Sequence, residues 1–155
     1  HVRSRRQRQM CIRDRSANDD MTLTYHDSCN VARASSMGGI MGGQFTIHRK
    51  IIQTVANNFY DMDDETIREK TYCCGGGGGL LTDDLMELRV KGALPRMEAL
   101  KHLIEEKGVT HMAAICAICK SQFSKVFQYY DLELDQIVSL HQLVSNALIM
   151  NKKEV

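Results

Sequence analysis

Two kinds of hydrophobic pattern take turns along this chain, short strand-like runs and longer helical periodicities. "MTLTYHD" (21–27) alternates apolar and polar positions among β-formers, which predicts a strand. In "FTIHRKIIQTVANNF" (45–59), Ile47, Ile51, Ile52 and Val55 recur at helical spacing, with Thr46 placed to cap the helix. "FYDM" (59–62) reads as a short strand. Thr82 is placed to cap "TDDLMELRVKGA", whose first turn is acidic. Pro95, the only proline, is expected to open a further helix, "PRMEALKHLIEEKG", that Gly108 closes. Then come a strand in "THMAAIC" (110–116), a helix in "AICKSQFSKVFQYY", a strand in "LDQIVSL" and a last helix in "HQLVSNALIM". This alternation predicts an α/β fold, a mainly parallel sheet flanked by helices. Its ligand site is expected at the C-terminal ends of the strands.

Composition narrows the class. The chain is 43% hydrophobic and 25% charged, as in a soluble domain. No apolar stretch approaches the ~20 residues of a transmembrane helix, so no direct membrane span is expected, and no signal peptide is visible. Residues 1–15 hold six arginines and one aspartate without periodicity, and "QRQMCIRDR" resembles a translated adapter scar. Residues 1–20 are therefore set apart as a non-native or disordered tail. The cysteine-rich domain is placed at 21–150, with a second tail at 151–155. Without the first 15 residues, 14 basic and 18 acidic groups remain, so nucleic acid is not an expected partner.

The chemistry lies in "EKTYCCGGGGGLLTDDL", where two adjacent cysteines run into five glycines. A polyglycine run buries no side chain and loses the most backbone entropy on ordering, so it implies either disorder or a close approach to its backbone. Cys29 follows the first strand, Cys73 and Cys74 precede the glycines, and Cys116 ends a strand and forms a C-x-x-C with Cys119. Five thiols from three distant points are expected to converge at the strand ends. A zinc site wants four ligands, usually in two knuckles, and only one knuckle is present. A dithiol on "CAIC" alone leaves the glycines unexplained. An iron–sulfur cluster accounts for both, with Gly75, Gly76, Gly77, Gly78 and Gly79 as cofactor-binding backbone whose N–H groups donate to the cluster sulfides. Zinc and a bare dithiol remain as alternatives. Phosphate-binding glycine motifs fail, since no lysine follows the run and no register gives glycines at i, i+2 and i+5.

The pattern Cys29 … Cys73-Cys74-Gly75 … Cys116-x-x-Cys119 resembles the cysteine-rich CCG domain of the heterodisulfide reductase family. "YHDSCNVAR", "GGQFTIHRKII", "CCGGGGGLLTDD" and "ICAICKSQF" resemble in particular its DsrK branch, associated with dissimilatory sulfite reduction, from about Tyr25 to Met150. The resemblance implies a non-cubane [4Fe–4S] cluster held by Cys29, Cys73, Cys74, Cys116 and Cys119. It also implies an oxidoreductase that reduces a disulfide or trisulfide in two one-electron steps. The partners implied are a DsrC-like sulfur-carrier protein and the other subunits of a membrane-bound redox complex. The location implied is cytoplasmic, peripheral to the inner membrane. Ferredoxin-type motifs and a second cysteine-rich copy are expected in such proteins but absent here, so the chain reads as a catalytic fragment without its electron relay. The alternatives are a non-catalytic zinc or electron-relay module, or the related subunit of a glycolate- or lactate-oxidising complex.

Further residues carry smaller expectations. His26, beside the first ligand, is a candidate catalytic proton donor to a leaving thiolate, against a plain histidine hydrogen-bonded at a strand end. Asp27 is expected to hold the Cys29 loop. Arg33 and Lys120 flank ligands and are candidates to balance cluster charge, or solvated surface residues. His111 and His141 read as structural, and His48 as a detail of the helix start. The cluster Gly38, Gly39, Gly42 and Gly43 lines the site or forms a flexible loop.

Overall fold

The computed structural model describes residues 14–37, 40–41 and 44–148. In chain order its strands and α-helices are β1 (Leu23–Tyr25), β2 (Ser36–Met37), β3 (Ile40–Met41), α1 (Ile47–Val55), α2 (Met86–Lys107), β4 (His111–Ala114), α3 (Ala117–Val126), β5 (Ile137–Ser139) and α4 (Leu140–Ala147). The fold is α/β, with a three-stranded parallel sheet in the order β1-β4-β5. Leu23 pairs with His111 and Met112 with Ile137. A separate antiparallel pair, β2 with β3, was not expected from the sequence.

Side chains alternate across the sheet and so feed two cores. Leu23, Tyr25 and Ala113 pack with Ile52 and Val55 of α1 and with Leu140 and Leu143 of α4. Met112 packs on the other side with Met97 and Leu100 of α2 and Phe123 of α3. A sheet covered on both faces explains why β1 and β4 are buried almost throughout, Thr24 included.

Three elements differ from the sequence expectation. Residues 59–62 form no strand; only Phe59 bridges Leu23, because Tyr60 donates to the Leu23 carbonyl and the chain then turns away. Pro95 does not open a helix but sits inside α2, which runs unbroken to the left-handed Gly108. Proline removes one helical hydrogen bond. Here Lys91 and Pro95 are exposed, so the freed carbonyl meets water, while Ala93, Arg96, Met97 and Leu100 bury the opposite face. Thr82 and Thr46 stand at the N-cap positions of a 3-10 turn (Asp83–Leu85) and of α1, but neither side chain makes a cap hydrogen bond.

The N-terminal stretch is packed onto the fold from Asp14 onward. Asn18 is fully buried and donates to the carbonyls of Val55 (2.8 Å) and Leu143 (3.1 Å), so the boundary drawn at residue 20 runs beside a turn that ties α1 to α4. Residues 1–13 and 149–155, and with them most of the proposed tails, lie outside the described residues. So does the Gly38, Gly39, Gly42, Gly43 cluster.

Two contacts fix the loops that follow the strands. Arg49 of α1 is buried and grips Asp27 with two hydrogen bonds (2.8 and 2.6 Å) and Asp61 with two more (2.5 and 2.9 Å). Asp27 also accepts from the Arg68 N–H at 2.9 Å, and its carbonyl accepts from the Thr71 hydroxyl at 2.9 Å. Asp27 thus holds the Cys29 loop, as expected, and the approach to Cys73 as well. The second contact explains the first of the five glycines. Gly75 has φ +86°, and a Cβ there would lie 2.3 Å from the Arg89 carbonyl oxygen and 2.9 Å from the Ala93 nitrogen, both on α2. What presses on the backbone at Gly75 is a helix.

Replacing Arg49 with Met leaves the buried Asp27 without its partner, and is expected to cost about 3–5 kcal/mol of stability in urea unfolding. Gly75→Ala is expected to cost at least about 2 kcal/mol, because strain at positive φ adds to the clash with α2. Gly78→Ala, at φ +72° but with nothing within 4 Å of the added carbon, should cost only about 1 kcal/mol.

Candidate metal centre

The cysteines gather where β1 and β4, adjacent and parallel, end. After Tyr25 the chain passes through His26, Asp27 and Ser28 into a π-helical turn, Cys29–Arg33. After Ala114 it reaches Cys116, the N-cap of α3, and one turn into that helix Cys119 faces the core. Cys73 and Cys74 arrive from the Thr71 anchor, and α2 presses on the glycine behind them.

A ring nitrogen of His26 and the sulfurs of Cys74 and Cys119 all lie within 4.8 Å of one another, and all three residues are buried. The Cys73 sulfur lies beside that of Cys74, and the Cys116 sulfur beside that of Cys119. Four of the five predicted cysteines are therefore neighbours that influence one another's ionisation, with Cys74 and Cys119 meeting at His26. Cys29 is half-buried one residue beyond Ser28, whose hydroxyl faces the Cys116 sulfur without meeting full hydrogen-bond geometry. All five are free thiols.

Backbone N–H groups at the start of the glycine run serve the cysteine sulfurs themselves. Gly75 donates to the Cys73 sulfur (3.3 Å) and Gly76 to that of Cys74 (3.4 Å). Gly76 is crowded by Ile118 and by the Cys74 sulfur itself, whereas Gly78 and Gly79 face open space. Gly77, at φ +52°, lines a cavity of about 220 Å³ with Cys73, Gly75, Leu80, Leu85 and Leu88.

The electrostatics separate the cysteines into two kinds. Contact with Cys119, then burial, pushes the Cys74 thiol up to about 12. The Cys73 thiol is raised by its contact with Cys74 and by burial. Burial would raise Cys116 too, but the Ser28 hydroxyl and the N–H groups of Cys119 and Ile118 outweigh it, and its pKa falls. Cys116 is thus the readiest thiolate of the three; Cys73 and Cys74 hold their protons until a metal displaces them.

His26 differs from the plain reading offered for it. Both ring nitrogens lack a hydrogen-bond partner although the residue is 1% exposed. The ring stands edge-on to Phe123 at 4.9 Å, and burial, then the charge of Arg96, drives its pKa well below the usual value. A neutral, unpartnered imidazole beside two buried thiols is the signature of a ligand site, because an orphaned buried polar group costs about 1–3 kcal/mol. Thiolates and imidazole are soft donors suited to iron–sulfur clusters and to zinc. The residues present fit such a group.

Several contributors had no signal in the sequence. Arg89 and Arg96 of α2 are fully buried, and each has an unpartnered guanidinium nitrogen. Arg89 clamps α2 to α3 through Gln122 at 2.8 Å, and Gln122 returns a bond to the Arg89 carbonyl. Arg33 instead reaches the carbonyls of Glu69 and Thr71 at 3.4 and 3.5 Å, and Lys120 is half-exposed. His48, treated as a minor detail, is buried and hydrogen-bonded to the Tyr25 hydroxyl at 2.8 Å. No charged position announces its burial when it falls on a helix with weak amphipathic contrast, as α2 is.

Comparison with known proteins agrees with this geometry. The cysteine-rich domain model (CCG) matches residues 23–124. The Hdr-like menaquinol oxidoreductase iron–sulfur subunit 2 of Archaeoglobus fulgidus is 41% identical over 137 residues, 88% of this chain and 23% of that protein. The Hdr-like menaquinol oxidoreductase iron–sulfur subunit of Archaeoglobus profundus is 44% identical over the same shares. The chain therefore spans about a quarter of the length of these relatives. No solved structure matches it. The match over most of the chain, with the cysteines gathered at the strand ends, makes this chain a member of the CCG cysteine-rich domain family.

Proposed function

We propose that the chain is the cysteine-rich redox domain of a heterodisulfide-reductase-like subunit of the DsrK type. It holds a non-cubane [4Fe–4S] cluster through Cys29, Cys73, Cys74, Cys116 and Cys119, and reduces a disulfide or trisulfide on a DsrC-like sulfur-carrier protein in dissimilatory sulfur metabolism. The observation that supports this most is the convergence of buried Cys74 and Cys119 with an unpartnered His26. Support also comes from the iron–sulfur subunits to which the chain is similar, whose names place them in menaquinol-oxidising complexes. No described helix is long and apolar enough to cross a membrane, consistent with a cytoplasmic domain held at the inner membrane by partner subunits.

When bound, a cluster of this kind stores one electron and offers an iron to a substrate sulfur. The reaction consumes two electrons and two protons and yields two thiols from one disulfide. The protein's own groups do the rest. Cys73 is the exposed member of the pair and stands at the cavity bounded by Leu80, Leu85 and Leu88, which is where a substrate sulfur approaches. Gly75 and Gly76 hold the two sulfurs with N–H groups and so favour negative charge on them. His26 is neutral, so its ring N–H hydrogen-bonds and steadies a leaving thiolate, while the two protons that complete the thiols come from solvent.

His26, Cys74 and Cys119 alone also suit zinc, which is the second reading. Metal and sulfide analysis of the anaerobically purified full chain separates the two. The proposal expects about four irons and four acid-labile sulfides per chain, both lost in Cys74→Ala and in Cys119→Ala. One zinc without sulfide establishes the second reading. With dithionite as donor and a carrier-protein disulfide as substrate, His26→Phe is expected to keep its iron yet slow thiol release about a hundredfold. An unchanged rate removes His26 from the chemistry.

A further inference from the structure

Arg96 is a buried cation without a counter-ion. It is 0% exposed, and it donates to the Met62 sulfur, to the Thr66 carbonyl and to the Thr71 hydroxyl (3.0 Å), all neutral groups. Its Nε has no partner. The carboxylates nearest in charge, Asp27 and Asp61, are both bound by Arg49. Among the described residues no carboxylate pairs with Arg96. Burial lowers its pKa only to about 10, so it stays charged at neutral pH. An isolated charge in the interior costs several kcal/mol unless something compensates it.

The position of this charge indicates what compensates it. Thr71 and Tyr72, which it touches, immediately precede Cys73, and the guanidinium stands 5.7 Å from the centre of the Tyr72 ring. His26, the neighbour of Cys74 and Cys119, feels its field. A centre built on several thiolates is anionic, and the Thr71–Tyr72 segment that Arg96 holds leads directly into its Cys73. Arg89 differs, since Gln122 holds it and Asp83 stands 3.8 Å away.

We infer that Arg96 is the counter-charge of the cysteine centre, a positioning residue that helps retain the anionic metal group and raises its reduction potential. The inference rests on the iron–sulfur reading above. Reduction adds negative charge to the centre, so a fixed cation beside it favours the reduced form, and its removal lowers the potential.

The test compares wild type, Arg96→Met and Arg96→Lys as full-length, anaerobically loaded protein. Two quantities are read, the midpoint potential by EPR-monitored titration and the rate of iron loss to a chelator. Arg96→Met is expected to lower the potential by about 60 mV, a tenfold weaker preference for the reduced state, and to release iron about tenfold faster. Arg96→Lys keeps the charge but not the guanidinium hydrogen bonds, and should stay within about twofold of wild type on both. If Arg96→Met does not fold, Arg96→Gln takes its place with the same expectation. A neutral variant at wild-type potential overturns the inference, as does Arg96→Lys shifting as far as the neutral one. A wild type that binds no iron and sulfide overturns the cluster reading and this inference together, which separates that failure from the failure of Arg96 alone.

Discussion

The grip of Arg49 on Asp27 and Asp61 is the contact on which the site depends. It joins the end of β1 to α1 and to the loop after Phe59, and through Asp27 it reaches Arg68 and Thr71. Asp27 is two residues from Cys29 and its carbonyl anchors the segment two residues before Cys73. One buried residue, through its carboxylate and its backbone carbonyl, therefore sets the spacing of cysteines that are far apart in sequence. A buried ion pair is weak evidence for stability in general, because desolvation offsets much of the attraction. Its value here is geometric: the fork of a guanidinium accepts only one arrangement of its two carboxylates.

Around that anchor the site is built from three independent approaches. The β1 loop brings His26 and Cys29, the N-terminus of α3 brings Cys116 and Cys119, and α2 pins the Cys73–Cys74 turn by lying against Gly75. The result combines polar groups that a closed core would not tolerate: a neutral imidazole with no partner, and a guanidinium with no carboxylate. His26 stands beside the sulfurs of Cys74 and Cys119, and Arg96 holds the segment that leads into Cys73. Each is costly alone, and the proposed metal group would relieve both.

The sequence made the layout legible where chemistry and periodicity agreed. The parallel strands, α1, α3 and the placement of cysteines at strand ends followed from alternation, helical spacing and the rule for ligands at strand termini. Pro95 misled because proline is a stop signal only when its neighbours need the lost hydrogen bond, and on the wet face of α2 they do not. The "FYDM" strand failed because one bridge to Leu23 is all the edge of β1 accepts. At Gly75 the glycine run meets α2, a tertiary contact that no local pattern encodes. Arg89 and Arg96 were invisible for the same reason: their burial is decided by which face of α2 meets the sheet. His26 was singled out by its place beside Cys29, yet its lack of any partner belongs to the three-dimensional site alone.

The central claim is that one site at the ends of β1 and β4 holds a multi-iron group against Cys74 and Cys119. Anomalous diffraction from crystals of the anaerobic protein, recorded at the iron and zinc absorption edges, tests it most directly. The account predicts iron density bonded to both of these sulfurs, beside the ring of His26. A single zinc in that place, or iron bound away from Cys74 and Cys119, contradicts it.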